Sequence, residues 1–369
     1  MVVPVDASEV ALLRLVAQRL AGPREQDPTR AVRWLLAAQA QDLRGALVSA
    51  ALRTSDTGLS ATRAALDAGS VVRSWPMRGT LHLVAAEDLG WLLALTTERV
   101  VRGAASRRAA LGIDEALVER AREVVVEALR GGGALRRDAV LALWEQAGLL
   151  GSAERRVPQR GYHLLWTISQ TGSTCWGPLV GGASDEQALV LRQEWVPDPR
   201  RLEREESLGE LARRYFASHG PASTADLARW CGLPVREVRA GAALARPHLE
   251  AVEVDGVEHL MDPGTPERLA ACRDDARRTM LLPGFDEMVL GYADRSATVP
   301  AEHAEKVVPG GNGMFLGTVV TGGRAVATWR RTGRRTGPAV VATPFDGSPA
   351  GLPAAVAADV ARLGTSLPT

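Results

Sequence analysis

Hydrophobic residues recur at helical spacing over residues 7–21, 29–38 and 42–53, and again over the shorter run 60–68. The pattern then changes to alternation over 70–74 and 77–84, which predicts two strands. The same order returns downstream. Residues 114–130 predict a helix ended by Gly131-Gly132-Gly133. Helices over 136–147 and 153–170 follow, then strand-like runs over 174–180 and 187–192 across Gly181-Gly182. The third pass is the cleanest. A helix over 202–218 stops at His219-Gly220-Pro221, Ser223 is placed to cap the next with Asp226 at capping-box spacing, and Pro234 opens a third helix running to 244. Alternation over 249–254, the two-residue turn Asp255-Gly256 and a return over 257–261 predict a hairpin.

Helix, helix-turn-helix, then hairpin is a winged helix. The expected fold is therefore α+β, with three tandem winged-helix units over 1–112, 113–200 and 201–264. Beyond Pro263 one helix, 266–277, leads into Gly-rich, strand-like sequence and a short helix over 352–363. This predicts a β-rich C-terminal subdomain, 265–369, bracing the third unit.

Composition narrows the class. A chain of 369 residues with 46% hydrophobic and 24% charged residues can bury two or three cores and is not a disordered type. No basic-then-apolar leader opens it and no uncharged apolar run approaches the ~20 residues of a membrane span, so no membrane partner is expected. Cys175, Cys231 and Cys272 are odd in number and widely spaced, which suits a reducing cytoplasm rather than a disulfide framework. Net charge is only +1, so the protein is not a uniformly basic nucleic-acid binder. The kind of charge says more: Lys306 is the only lysine. A GC-rich genome produces that bias without any functional cause. It nevertheless leaves a single side-chain amine for any Schiff-base mechanism.

Gln39-Ala40-Gln41 falls where one helical pattern gives way to another. Residues two apart on a helix point about 200° away from each other. Two amides serving one site therefore require a break there, whereas two solvated helix glutamines require none. Asp42, next in line, reads as a cap for the following helix or as a nearby carboxylate.

The triplet resembles the Gln–apolar–Gln motif of the AlkZ-like DNA glycosylases, winged-helix enzymes that remove bulky alkylated purines and unhook DNA crosslinks. Further segments look like the same family: Ser74-Trp75-Pro76-Met77-Arg78-Gly79-Thr80-Leu81-His82; His219-Gly220-Pro221-Ala222 with Asp226-Leu227-Ala228-Arg229-Trp230; and Leu282-Pro283-Gly284-Phe285-Asp286 with Gly291-Tyr292 and Asp294-Arg295. The resemblance spans nearly the whole chain. It implies catalysis by Gln39 and Gln41, DNA contacts from Arg78 and His82, no cofactor or metal, and a monomeric, nucleoid-associated enzyme acting on alkylated duplex DNA. His82, alternating with Leu81 and Leu83, is expected to be exposed. Asp286 is expected to pair with an arginine such as Arg295.

The chemistry is consistent with that implication. A glutamine amide does not titrate and cannot be a strong base, but its carbonyl oxygen can accept from water and orient it. Such weak assistance suffices only for a leaving group that already departs easily, such as a purine made cationic by alkylation at N7 or N3. Residues 306–345 contain no acid and carry Lys306, Arg324, Arg330, Arg331, Arg334 and Arg335, flanking a Gly322-Gly323 hairpin signal. This reads as a phosphate-contacting element or, less specifically, a solvated basic strand end. Nucleotide-loop, metalloprotease and serine-hydrolase signatures are absent, the histidines at 219, 248, 259 and 303 lack metal-ligand spacing, and no iron–sulfur cysteine cluster exists. The rival class is a non-catalytic winged-helix DNA binder, either a regulator or a lesion-masking factor. A further alternative is sequestration of a DNA-damaging small molecule. Neither needs paired amides at a helix break.

Overall fold

The computed structural model describes residues 3–151, 157, 159–180, 185–332, 339–347 and 351–366. The chain forms two compact units, one made of Met1–Thr62 with Leu208–Thr369 and the other of Arg63–Ser207. Both mix helix and sheet. Among the described residues no helix is long and apolar enough to cross a membrane.

In the Arg63–Ser207 unit, strands Thr80–Ala85, Val71–Met77, Thr174–Leu179, Gln187–Leu191 and Ala134–Leu135 pair in that order, all antiparallel. Helices Glu115–Leu129, Arg137–Gln146 and Arg160–Gln170 bury Val118, Val125, Trp144 and Leu164 in one core with Trp75 and Trp176. The last of these helices begins at Arg160, and residues 153–156 of its expected span lie outside the described residues. Residues 86–110, for which the pattern predicts no element, form helices Ala86–Gly103 and Ala105–Ala110. The Gly181-Gly182 connection lies outside the described residues.

The other unit contains the third series almost as read. Helices Arg204–His219, Thr224–Cys231 and Val235–Ala245 precede strands Glu250–Val254 and Val257–Met261. The Ser223–Asp226 capping box forms, and Asp255 and Gly256 take positive φ (48° and 76°) in a two-residue hairpin turn. The short strand Val3–Pro4 adds to this hairpin in parallel. Strands Met280–Leu282, Gly317–Thr321, Arg324–Arg331 and Val340–Pro344 form an antiparallel sheet, with positive φ at Gly322 and Gly323 in the central turn. Helix Ala7–Ala17 supplies Leu12, Leu15 and Val16 to a core shared with Met280, Leu282, Met288 and Phe315.

A buried ion pair fastens the first helices of this unit to its C-terminal part. Arg53 and Asp286 are 0% and 1% exposed. Arg53 donates to both carboxylate oxygens at 2.9 Å, and Ser49 Oγ and the Met288 amide donate to Asp286 at 2.6 and 2.9 Å. Arg53 also donates to Gln18 Oε1 (2.6 Å), whose amide nitrogen donates to the Tyr292 hydroxyl (2.9 Å). Asp286 therefore pairs with Arg53 and not with Arg295. Arg295 instead donates to the Val289 carbonyl and lies over the Phe315 ring. Nearness in sequence favoured Arg295, but the short Glu287–Leu290 helix turns Asp286 towards residues 49 and 53.

Burial alone would raise the Asp286 carboxyl, but the Arg53 charge and the hydrogen bonds from Arg53, Ser49 and Met288 outweigh it and hold the group below its ordinary value. A depressed folded value means the stabilisation is fully present above the unfolded value of about 3.9 and is lost as pH falls through the folded one. Arg53→Met, which leaves an uncompensated buried carboxylate, is expected to lower unfolding free energy by about 3–5 kcal/mol at neutral pH. In urea titrations, acidification below about pH 4 should erode stability more steeply in the wild type than in Arg53→Met. Equal slopes would place the acid sensitivity elsewhere.

Candidate active site

Helix Pro28–Leu35 is capped by Asp27, which accepts from the Arg30 amide, and it ends three residues before the periodicity does. Leu36 adopts φ 70°, a left-handed conformation that an internal helical leucine does not take. Ala38–Gln39 is extended, and the next helix, Leu43–Ala51, starts after Asp42. The break is real. Outside a helix, the opposition of residues two apart is lifted. Gln39 is 7% exposed while Gln41 is exposed, so one amide lies within the protein and the other opens outward. Asp42 occupies the cap position of Leu43–Ala51, but its side chain makes no capping hydrogen bond.

Behind the break stands a second buried acid that sequence reading did not single out. Glu287 is 0% exposed. Its Oε1 accepts the main-chain N–H of Gln39 at 2.8 Å, and its Oε2 accepts the Trp230 indole N–H at 2.9 Å. His219 Nε2 lies 3.5 Å from Oε2, too long for a strong hydrogen bond. The other ring nitrogen of His219 is 2.8 Å from Ser218 Oγ, and the ring stacks on Tyr215 at 4.6 Å between centroids. Gly291 makes this approach possible: a Cβ there would lie 2.8 Å from the His219 ring and 2.6 Å from the Glu287 carbonyl oxygen.

Tyr292, Arg14 and Asp226 are paired, while His219 Nε2 and Arg53 Nε are buried without a hydrogen-bond partner among the described residues. The Tyr292 hydroxyl donates to the His219 carbonyl at 2.9 Å, and burial pushes its phenol well up, so it remains a donor. Arg14 lies 3.7 Å over the Tyr292 ring and donates to the Pro221 carbonyl, with the Asp226 carboxylate 3.9 Å away. Asp226 in turn accepts the amides of Ala293 and Asp294. The family-like segments around residues 219–230 and 282–295 thus meet in one hydrogen-bonded assembly whose edge touches Gln39.

The arginines are more dispersed than their spacing suggests. Arg324 and Arg330 are exposed towards opposite ends of strand Arg324–Arg331, and a register shift against Val319/Val320 lies between them, so they do not share a face. Arg331, adjacent to Arg330 and so on the other face from it, is half-buried. Burial and then the charge of Arg44, on the helix following Gln41, draw its guanidinium below the ordinary value. Arg334 and Arg335 lie outside the described residues. In the Arg63–Ser207 unit, Arg78 (φ 54°) and Gly79 turn the hairpin between Val71–Met77 and Thr80–Ala85. His82 is fully buried rather than exposed, because its strand packs on both faces. Its Nδ1 lies 2.9 Å from the Thr80 carbonyl, which can only accept, so Nε2 is left to accept from Arg78 at 3.3 Å. Among the described residues no group of three or more His, Cys, Asp or Glu could hold a metal ion.

Comparison with known proteins identifies the family of the chain. The sequence pattern of the DNA glycosylase AlkZ-like family matches residues 32–366. The interstrand DNA cross-link repair glycosylase of Streptomyces sahachiroi is 26% identical over 283 residues, which cover 75% of this chain and 73% of that protein. The solved structure of Streptomyces sahachiroi DNA glycosylase AlkZ superposes with a TM-score of 0.79 at 25% identity, covering 99% of this chain and 98% of its own. The chain belongs to the AlkZ-like family of DNA glycosylases.

Proposed function

We propose that this DNA glycosylase excises bulky purines alkylated at N7 or N3 from duplex DNA by attack of water oriented by Gln39 and Gln41. The observation that carries the reading is the non-helical break at Gln39-Ala40-Gln41, which frees the two amides from the opposed directions a helix imposes. Neutral amides can orient water without deprotonating it, and a purine already cationic needs no further activation to leave. Normal nucleosides, whose bases are poor leaving groups, would be poor substrates. The relative named for interstrand cross-link repair supports extending the substrate range to crosslinked purines, which are N-alkylated lesions of the same class.

In this reading the three helix–hairpin series act as winged-helix units along the duplex. Arg324, Arg330 and Arg331, with Arg334 and Arg335, contact phosphates, and Arg78 lies at the tip of the first hairpin. His82 acts by holding Arg78. The enzyme works as a monomer, without cofactor, in the nucleoid. The direct test is incubation with duplex DNA carrying N7-alkylguanine, followed by detection of the free base. Binding without release would favour a lesion-masking protein instead.

Gln39→Ala or Gln41→Ala should slow base release by roughly 10- to 1000-fold, the range expected when a single water-positioning group is removed, with little change in DNA affinity. A fall in thermal stability as large as that of a core substitution would mark the glutamines as structural.

Affinity for undamaged duplex should depend strongly on salt. Removing Arg324, Arg330 and Arg331 together should flatten the slope of log affinity against log salt by about 0.9 for each phosphate no longer neutralised. An unchanged slope would move the DNA to another surface.

Release should leave an intact strand bearing an abasic site. Strand cleavage by β-elimination requires an amine nucleophile, and Lys306 is held on the short helix Ala304–Val307 with its ammonium donating to the Phe345 carbonyl. Borohydride should trap no covalent adduct. Trapping that disappears in Lys306→Ala would overturn the water mechanism.

A further inference from the structure

We infer that Glu287 is the positioning residue of the Gln39 amide. The inference rests on the proposed roles of the glutamines and names what sets them. Ala38–Gln39 is a two-residue strand between two helices, too short to fix the direction of Gln39 as a long strand would. Glu287 adds a side-chain anchor at the residue concerned: the Gln39 N–H is the donor and Oε1 the acceptor, at 2.8 Å, with both residues buried. The bond sits where water does not compete, which makes it stiffer than an exposed amide contact.

The carboxylate is itself held. Trp230 donates to its second oxygen, and Trp230 packs against Tyr215 and His219 in an aromatic stack. The adjacent Asp286 fixes the other side of the break through Ser49 and Arg53 on the Leu43–Ala51 helix and the turn after it. Consecutive acids thus hold the chain at the first amide of the pair and after the second. Glu287 governs the residue whose side chain is inside the protein, and Asp286 governs the helix that follows. Nothing about this division requires Glu287 to touch DNA or water.

The requirement is for an acceptor on both oxygens. Glu287→Gln keeps the shape but turns one oxygen into an NH2 group that must face either the Gln39 N–H or the Trp230 N–H. In single-turnover assays on N7-alkylguanine duplex, Glu287→Gln should lower the base-release rate by about tenfold or more, with DNA affinity within about twofold of wild type. Gln39→Ala retains the main-chain N–H, so adding Glu287→Gln to it should lower the rate by no more than about threefold further. Adding Trp230→Phe to Glu287→Gln removes the opposed donor and lets the new carbonyl turn to Gln39. That double variant should return to within about threefold of Trp230→Phe alone, and it carries the test if Glu287→Gln by itself does not fold.

An equal loss from Glu287→Gln in the wild-type and Gln39→Ala backgrounds would overturn the inference, as would failure of Trp230→Phe to restore the rate. If Gln39→Ala and Gln41→Ala were both without effect, the water-positioning reading itself would fall, and that outcome is distinct from either of these.

Discussion

Two consecutive carboxylates out of reach of water constrain the larger unit more than any other feature. A buried carboxyl group is tolerable only when hydrogen-bond partners surround it, and Asp286 and Glu287 recruit theirs from separate parts of the chain. Asp286 takes Arg53 and Ser49, while Glu287 takes the Gln39 amide and the Trp230 indole. One dipeptide therefore joins the first helices, the third helical series and the C-terminal sheet. Because a partly satisfied network of this kind is worse than an apolar core, the arrangement selects a single packing of these segments.

The same constraint explains why the glutamine segment can be irregular. Leu36 in a left-handed conformation and a two-residue extended stretch would be poor local choices in isolation. They persist because both ends are tied to buried anchors. Local irregularity held by non-local bonding is a frequent way for a fold to present side chains that a regular helix would turn away.

What was legible in the sequence was what local chemistry writes. Ser223 with Asp226, Pro234 and Asp255-Gly256 each specify a boundary within a few residues, and the third series follows them closely. The break at Gln39 was legible because two helical patterns fall out of step there. Helix Ala86–Gly103 was not: Ala85 gives no capping bond, and its buried positions include Asp88, Thr96 and Thr97 among the apolar ones, so no clean stripe marks it. The partner of Asp286, the burial of His82 and the role of Glu287 were also hidden. Each depends on contacts that spacing cannot encode; the Glu287–Gln39 bond spans 248 residues.

The larger unit is discontinuous in sequence, with Met1–Thr62 completed only by Leu208–Thr369. During synthesis the first segment leaves the ribosome long before the chain that finishes its core, while Arg63–Ser207 can collapse on its own in the interval. Gln39 is made 248 residues before the anchor at Glu287 that holds it. A nascent or prematurely terminated polypeptide would carry the amide pair without the bonds that orient it. Competence is thereby deferred until that distant anchor has been made, which suits a protein whose reaction damages the genome when misdirected.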